Sequence, residues 1–328
     1  MKRKDNKYGP YKLGDQMSWD NLFFLEQMYE PFERTQESFD FLREYSTVFN
    51  LYTASTPQPN PFSNKVMFII NTLTKMGVKY SIDIFSYEGN DITSEGFNYA
   101  SHKLVNIIAE PNPNATGPAT VFCAHHDVAN VRSENCQDNG ASVCNLLKLA
   151  SMIYKAQDSS KRTIILFSDC EEYGARGAKR FARNSSFDRK TDKIFHNTYG
   201  EIESVINLEL TGKGKVVWSD CKENQKENDL HQSLENVLGK TILKLHTPPS
   251  DAMAFRKFDY PVLCIGTLPE NDLEDKNTWR LCHSMADTLS GCNKDEMKDF
   301  TNFLFNIINQ PNTNNDQRPD EAERPLRT

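Results

Sequence analysis

Histidine and carboxylate side chains recur in this sequence at the points where apolar, strand-like segments end. The segments ATVFCA and TIILF each run into three such residues and SVINL into one, and two further candidates lie in loops. The candidate set is His125, Asp127, Asp138, Glu171, Glu172, Glu209 and His283. Imidazole nitrogens and carboxylate oxygens bind zinc ions at about 2.0–2.2 Å, and a bridging carboxylate allows two ions to lie roughly 3.5–4 Å apart. The set therefore indicates a site for a pair of zinc ions.

Each candidate alone has a simpler explanation. Asp138 precedes a long predicted helix, where Asp is a favoured N-cap, and Glu171 and Glu172 could form a solvated helix start. His125 could be a packed, hydrogen-bonded histidine. Glu209 is harder to explain in this way, because it follows the apolar run VINL and charged side chains are seldom buried unpaired. All of these explanations would have to hold together, so the sequence favours a shared site.

The strand leading into His125 also predicts which neighbouring side chains take part. Successive side chains of a strand point to opposite faces, so His125 and Asp127 are expected on one side and His126 on the other. Asp127 can then hold the imidazole of His125 in one tautomer and orientation. His126 is predicted to take no part in the site.

Apolar strands alternate with amphipathic helices through most of the chain, which predicts an α/β fold. We expect a mixed, mostly parallel central sheet with helices on both faces. Predicted elements include strands at 119–124, 163–167, 204–210 and 261–266, and a helix over about 139–156. In such sheets ligands bind beyond the carboxyl ends of the strands, which is where the candidate residues fall.

The composition describes a globular protein with 38% hydrophobic and 25% charged residues. The formal net charge of −7 disfavours nucleic acid and anionic membranes as partners. No apolar stretch approaches the roughly 18 residues that span a bilayer, and no signal peptide is predicted. The eight cysteines are scattered without a C-x-x-C pair, which is typical of reduced thiols. A cytoplasmic location is therefore expected.

Six motifs, in the order AHHDV, QDNGAS, SDCEEYGARG, INLELTG, SDAMAF and CHSMADT, resemble the family-28 zinc exopeptidases of the bacterial leucyl aminopeptidase type. The resemblance covers about residues 100–308 and implies the zinc-exopeptidase fold, which is phosphorylase/hydrolase-like. It also implies two zinc ions, with Asp138 as the bridging ligand and Glu171 as the general base. The metal ligands that it implies are His125, Asp138, Glu172, Glu209 and His283. The family usually has Asp where this chain has Glu209, but related di-zinc exopeptidases use Glu there, so metal binding is expected.

Three segments are predicted on this basis. Residues 1–61 form an N-terminal helical extension and linker, residues 62–310 form the di-zinc peptidase domain, and residues 311–328 form a disordered tail. The role of the extension and the oligomeric state are not predicted.

The resemblance implies a zinc-dependent exopeptidase that acts on peptides, more often an aminopeptidase than a carboxypeptidase. A carboxypeptidase needs a basic clamp for the terminal carboxylate, for which Arg176, Arg256 and Arg280 are the candidates near the motifs. Acyl transfer of the glutaminyl cyclase type, on the same fold, is a second alternative, ranked lower because that relative uses one zinc ion and fewer ligands. A catalytically inactive binding relative is a third, although no ligand and no general base is missing.

Overall fold

The computed structural model describes residues 36–47, 63–86, 103–129, 133–156, 161–185, 187–188, 193–194, 198–222, 224–272 and 277–309. The disordered tail predicted at 311–328 lies outside these residues, as does most of the helical extension and linker predicted at 1–61.

An eight-stranded mixed sheet forms the centre of the described structure. In spatial order its strands are β1 (Lys79–Ser86), β2 (Lys103–Glu110), β4 (Arg162–Ser168), β3 (Ala119–His125), β7 (Ile202–Leu208), β10 (Val262–Leu268), β8 (Val216–Ser219) and β9 (Leu243–Lys244). The central strands β4, β3, β7 and β10 are mutually parallel, as are β8 and β9, whereas β1–β2, β2–β4 and β10–β8 are antiparallel. The predicted α/β class with a mixed, mostly parallel sheet is confirmed. A separate two-stranded pair consists of β5 (Phe187–Asp188) and β6 (Lys193–Ile194).

Eight α-helices are described, together with three shorter helical turns. The α-helices are α1 (Ser38–Thr47), α2 (Asn64–Met76), α3 (Ala141–Ala156), α4 (Arg176–Ser185), α5 (Gln225–Leu238), α6 (Ala252–Arg256), α7 (Asn277–Leu281) and α8 (Lys294–Asn309). The shorter turns are a π-type turn at Cys136–Gly140 and 3₁₀ turns at Glu270–Asp272 and Leu289–Gly291.

Helices cover both faces of the sheet, as the sequence predicts. Alternate residues of β3 belong to different apolar cores: Phe122 and Ala124 pack with α1, α2, α3 and α8, whereas Val121 and Cys123 pack with α4 and α6. This alternation follows from the two-residue period of a strand. A strand buried on both sides is apolar throughout, which explains why ATVFCA contains few polar residues.

Local sequence signals explain where α2 begins and ends. The Ser63 hydroxyl accepts a hydrogen bond from the backbone N–H of Val66 at 3.1 Å, which caps the first turn. Gly77 closes the helix with φ of 77°, a left-handed conformation that glycine adopts without steric penalty. Within this N-terminal half, α1 packs its buried face, which includes Phe41, Leu42 and Tyr45, against the same core as α2.

Candidate metal centre

The parallel register of the central strands brings the predicted site residues to one edge of the sheet. His125 is the last residue of β3 and pairs with Ser168 of β4, so the turn that carries Glu171 and Glu172 begins beside it. On the other side, Cys123 pairs with Asn207 of β7. Because the strands are parallel, Glu209, two residues beyond Asn207, lies level with His125.

One group of ligand atoms surrounds the imidazole of His125. Its Nε2 atom lies 3.3 Å from Oδ1 of Asp138 and 3.5 Å from Oε2 of Glu209. Its Nδ1 atom lies 3.2 Å from the carbonyl oxygen of Asp127 and 3.3 Å from Oδ1 of the same residue. Both partners of Nδ1 are acceptors, so Nδ1 donates to Asp127. Nε2 faces the carboxylates of Asp138 and Glu209, where a bound metal ion would take the place of a proton on this nitrogen.

A second group lies on the other side of Asp138. The Nε2 atom of His283 lies 3.2 Å from Oδ2 of Asp138 and 2.9 Å from Oε2 of Glu172. Asp138 therefore turns one carboxylate oxygen toward His125 and Glu209 and the other toward His283 and Glu172. This is the placement that a carboxylate bridging two metal ions must have.

The donor set fits metal ions. Ligand atoms lie within 4.8 Å of one another in each of two groups that share Asp138, one with His125 and Glu209 and the other with Glu172 and His283. The second oxygen of Glu172, Oε1, is buried and has no hydrogen-bond partner. Unpaired buried carboxylate oxygens are expensive, and divalent cations satisfy them.

Asp127 connects the histidine to the turn that carries the two glutamates. Its Oδ1 and Oδ2 atoms accept hydrogen bonds from the backbone N–H groups of Glu171 at 3.0 Å and Glu172 at 3.2 Å. The same carboxylate faces Nδ1 of His125. One buried side chain therefore orients both the imidazole and the adjacent turn.

Asp287 fixes the loop that carries the bridging carboxylate. Its two oxygens accept hydrogen bonds from the backbone N–H groups of Gln137 at 2.6 Å and Asp138 at 3.0 Å. The amide of Asn139 donates to the Leu208 carbonyl at 2.8 Å, which joins the loop to the end of β7. The structure thus reveals Asp287 as a residue that the sequence reasoning missed, although it lies inside the quoted CHSMADT motif.

Several residues of the site have left-handed backbone conformations. Cys170, which precedes Glu171, has φ of 59°, Leu210, which follows Glu209, has φ of 57°, and His283 itself has φ of 62°. Such conformations are unfavourable for residues other than glycine and persist where the surrounding structure imposes them. Their position at the strand ends shows that the chain turns sharply to bring these side chains together.

Burial and mutual charge shift the ionisation of the site residues. Burial raises the pKa of Glu171 well above its usual value, and the charges of Glu209 and Asp251 raise it further against the opposing effect of His125. Burial alone would raise the pKa of Asp138, but its hydrogen bonds with His125 and His283 hold it well below the usual range. Opposite shifts in neighbouring carboxyl groups are typical of acid–base sites.

The histidines respond to the same carboxylates. Burial lowers the pKa of His125, but Glu209 and the carboxylates of Asp127 and Asp138 outweigh this and raise it well above its usual value. The hydrogen bonds to Asp138 and Glu172 raise the pKa of His283 to about 10. The grouped carboxylates thus attract positive charge, whether it arrives as protons or as metal ions.

Two polar residues next to the site have supporting contacts. His126 is buried, and its Nε2 atom lies 2.8 Å from the Val105 carbonyl oxygen, to which it donates. Asp169 accepts a hydrogen bond from the Val105 N–H at 2.8 Å and so fastens the turn after β4 to β2. Neither side chain belongs to the candidate ligand groups.

Asp251, in the SDAMAF motif, is a further buried carboxylate near the site that sequence reasoning did not assign. The hydroxyl of Ser168 donates to its Oδ2 atom, while its Oδ1 atom is buried without a partner. Burial raises the pKa of Asp251 to about 7.

A pocket of about 490 Å³ opens beside the ligand groups. His125, Asp138, Glu171, Glu172, Glu209 and His283 all contribute to its wall. Its other sides are largely apolar and include Trp218 and Trp279, whose ring centroids lie 5.4 Å apart, and the exposed Met253. A concave, mostly apolar pocket with convergent polar groups is typical of a substrate site.

The three arginines considered as a carboxylate clamp do not line this pocket. Arg256 instead forms ion pairs with Asp220 at 2.7 Å and Glu227 at 2.8 Å. Arg176 donates from Nε to the Tyr173 carbonyl at 3.4 Å, and Arg280 is exposed on α7. Arg256 therefore stabilises the contact between α5 and α6 and does not face the ligand groups.

Comparison with known proteins identifies the family. The chain matches the model of peptidase family M28 over residues 106–308, more than half of its length, and it belongs to this family. No curated protein sequence matches the chain. None of the described helices is long and apolar enough to cross a membrane.

Solved structures share the fold at low sequence identity. The glutaminyl cyclase of Tannerella forsythia is 15% identical with a TM-score of 0.63, and the match covers 86% of this chain and 100% of that one. The aminopeptidase of Aneurinibacillus sp. strain AM-1 is 12% identical with a TM-score of 0.62, covering 83% and 92%. The LapA aminopeptidase of Legionella pneumophila is 13% identical with a TM-score of 0.60, covering 92% and 76%. At these identities the likeness concerns the fold, which both classes of enzyme share.

Proposed function

We propose that this chain is a zinc-dependent aminopeptidase that binds two zinc ions. The observation that carries the proposal is the position of Asp138 between two groups of ligands. One ion would be held by His125, Asp138 and Glu209, and the other by Asp138, Glu172 and His283. Nitrogen and carboxylate oxygen ligands of this kind are typical of zinc sites.

Glu171 is the general base in this proposal. When bound, the zinc ions supply Lewis acidity, which polarises the substrate carbonyl and makes the attacking water more acidic. Glu171 lines the same pocket, and burial raises its pKa, which makes its carboxylate a stronger base. It takes the proton of the attacking water and passes it to the departing amine. Asp127 is a positioning residue, because its carboxylate orients His125 and accepts the N–H of Glu171.

The charges around the pocket support cleavage at the amino terminus. The carboxylates of Asp127, Asp138, Glu172 and Glu209 create a negative field that favours a cationic α-amine. None of the three arginines considered for a terminal carboxylate lines the pocket, and Arg256 is paired with Asp220 and Glu227.

The test combines metal analysis with a panel of substrates. Protein purified without chelator is expected to contain close to two zinc ions per chain. It should hydrolyse leucyl-anilide, which has a free amine, and act poorly on N-acetyl-leucyl-anilide. Folded protein with almost no metal under zinc-replete conditions would contradict the proposal.

Two further substrates separate the alternatives. Release of the C-terminal residue from an N-blocked dipeptide, without turnover of leucyl-anilide, would identify a carboxypeptidase. Conversion of a glutaminyl peptide to its pyroglutamyl form, followed by mass spectrometry as loss of ammonia, would identify a cyclase instead.

A further inference from the structure

Lys179 is the one lysine or arginine among the described residues that line the metal pocket. It lies near the start of α4, is partly buried, and donates from Nζ to the Gly174 carbonyl at 2.5 Å. The rest of the wall consists of the candidate metal ligands, Glu171, and apolar or neutral side chains such as Trp279 and Met253. A cation in this position therefore requires an explanation.

No acidic side chain of the described residues forms an ion pair with Lys179. Its charged neighbours include Arg176. The Nε atom of Arg176 and the Nζ atom of Lys179 each lie 3.8 Å from the position that a Cβ atom would occupy at Gly174. Partial burial, and then the charges of Lys257 and Arg176, lower the pKa of Lys179. The carboxylate of Asp251 raises the pKa of Lys179, but its effect is smaller than that of either cation. An anion that enters the pocket beside Lys179 would relieve the remaining repulsion between the cations.

None of the described acids that line the pocket forms an ion pair with Lys179, so a substrate can supply an anion to it. Asp138 and Glu172 are in contact with His283, and Glu209 is in contact with His125. A lysine ammonium binds a carboxylate through charge-assisted hydrogen bonds, and the apolar wall beside it excludes competing water.

We propose that Lys179 binds a carboxylate group of the substrate and thereby selects acidic substrates. The carboxylate is either the side chain of an acidic N-terminal residue or the terminal carboxylate of a dipeptide. The inference rests on the proposed aminopeptidase function and adds to it the class of substrate.

A purely structural role for Lys179 makes a different prediction. Its hydrogen bond to Gly174 reaches the turn that begins with Glu171 and Glu172. If the lysine only supported this turn, its loss would lower zinc content and would slow charged and neutral substrates equally. Recognition of a substrate carboxylate instead changes the ratio between the two.

The experiment measures that ratio with two isosteric pairs. Aspartyl-anilide and asparaginyl-anilide differ in the side-chain carboxylate, and leucyl-glycine and leucyl-glycinamide differ in the terminal carboxylate. The wild-type enzyme is expected to show a higher kcat/KM for the carboxylate member of one pair, and the responding pair identifies the source of the carboxylate. Lys179→Met should reduce this preference roughly 10–100-fold, the usual effect of one hydrogen bond to a charged group.

Two further variants complete the design. Lys179→Arg retains the charge and should keep part of the preference. Lys240→Met is the matched control, because Lys240 is an exposed lysine outside the pocket that also donates to a backbone carbonyl, that of Lys215 at 2.8 Å. This control should leave both ratios at their wild-type values.

The outcomes are distinct. A wild-type enzyme that hydrolyses leucyl-anilide but prefers neither carboxylate overturns the role of Lys179 and leaves the aminopeptidase proposal intact, whether or not the variants fold. If Lys179→Met lowers kcat/KM equally for both members of each pair and also lowers zinc content, Lys179 has a structural role. That result also overturns the proposal that it recognises a carboxylate. Absence of turnover with every free-amine substrate refutes the aminopeptidase proposal, and the inference from Lys179 with it.

Discussion

Adjacent glutamates in one turn occupy different surroundings. Both glutamates line the pocket. The Oε2 atom of Glu172 contacts His283 at 2.9 Å and its other oxygen is buried without a partner, whereas Glu171 has no such contact with His283 and lies near His125. Both backbone N–H groups are held by the single carboxylate of Asp127. Because Asp127 holds the backbone of this turn, either glutamate side chain can be changed with little effect on the position of the other.

This separation predicts different effects of two similar substitutions. Glu171→Gln should reduce kcat about 10²–10⁴-fold and leave zinc content nearly unchanged, because the amide keeps the shape but cannot accept a proton. Glu172→Gln should lower zinc content together with the rate, because a ligand is lost. Zinc analysis of both proteins, with steady-state kinetics on leucyl-anilide, checks the assignment. Equal zinc contents in the two variants would show that the roles are wrongly assigned.

The candidate ligands could be predicted as a group because most of them follow or precede a recognisable element, whereas His283 was indicated by the family resemblance. His125 and Glu209 follow apolar strands, and parallel strands place their carboxyl ends at the same edge. Asp287 and Lys179 were not predictable in the same way. Asp287 acts on Gln137, about 150 positions earlier in the chain, and Lys179 matters because of what lies around it in space. Such pairings depend on tertiary packing and leave no local pattern.

At the scale of elements, the chain after β10 supports the loop before α3. Asp287 holds the loop that presents Asp138, and Gln137 donates from its side chain to the Gly291 carbonyl at 2.9 Å. The 3₁₀ turn at Leu289–Gly291 thus lies against the π-type turn at Cys136–Gly140. The two segments are distant in sequence, but their contacts together hold Asp138, the candidate bridging ligand, in place.

Substitution of Asp287 should therefore weaken metal binding without removing a ligand. Asp287→Ala leaves the N–H groups of Gln137 and Asp138 without acceptors, and loss of such an outer partner typically lowers metal affinity about 10–100-fold. Competition with a zinc chelator of known affinity measures the change. Asp287→Asn, which retains one oxygen acceptor, should fall between Asp287→Ala and the wild type. Wild-type affinity in Asp287→Ala would show that the loop holds Asp138 by other contacts.

The strands and long helices were predictable because their periodicity reflects burial. The predicted strands at 119–124 and 163–167 match β3 and β4, and the predicted helix over about 139–156 matches α3, which begins two residues later. The sequence misplaced the start of α3 because Asp138 and Asn139 have non-helical backbone angles within the preceding turn. Those angles are accompanied by contacts with Asp287, in the loop after α7, and with Leu208, at the end of β7, which are both distant in sequence.

At the scale of the whole molecule, the site concentrates negative charge at one edge of the sheet. Burial raises the pKa of Asp169 to about 6 and that of Asp251 to about 7. The neighbouring carboxylates raise the pKa of His283 to about 10. Without metal ions, the folded protein therefore takes up protons that the unfolded chain does not bind at the same pH.

The sign of the resulting pH dependence is the same for these groups. Between pH 3.8, the pKa in the unfolded chain, and its higher pKa in the folded protein, such an Asp binds more protons in the folded state. Its contribution to the free energy of unfolding therefore falls as pH rises through that range. His283 contributes stability that is fully present below about 6.5 and is lost as pH rises toward 10. The lowered pKa values of Asp127 and Asp138 do not offset this loss of stability above about pH 5. Both groups are then ionised in the folded and in the unfolded state, so neither adds a pH dependence.

We therefore expect the zinc-free protein to lose stability from pH 6 to pH 8 and the zinc-loaded protein to lose much less. Metal ions bind deprotonated ligands, so zinc affinity rises over the same interval. Zinc at about 100 times its Kd adds about 2.7 kcal/mol, which corresponds to roughly 4 °C in Tm for a chain of this size. Differential scanning fluorimetry with chelator and with zinc, at pH 6, 7 and 8, measures the difference in Tm at each pH. The difference should widen as pH rises, and Glu172→Gln should reduce it because one zinc ligand is lost. A difference that stays constant or narrows would show that the carboxylates at the sheet edge do not bind the metal.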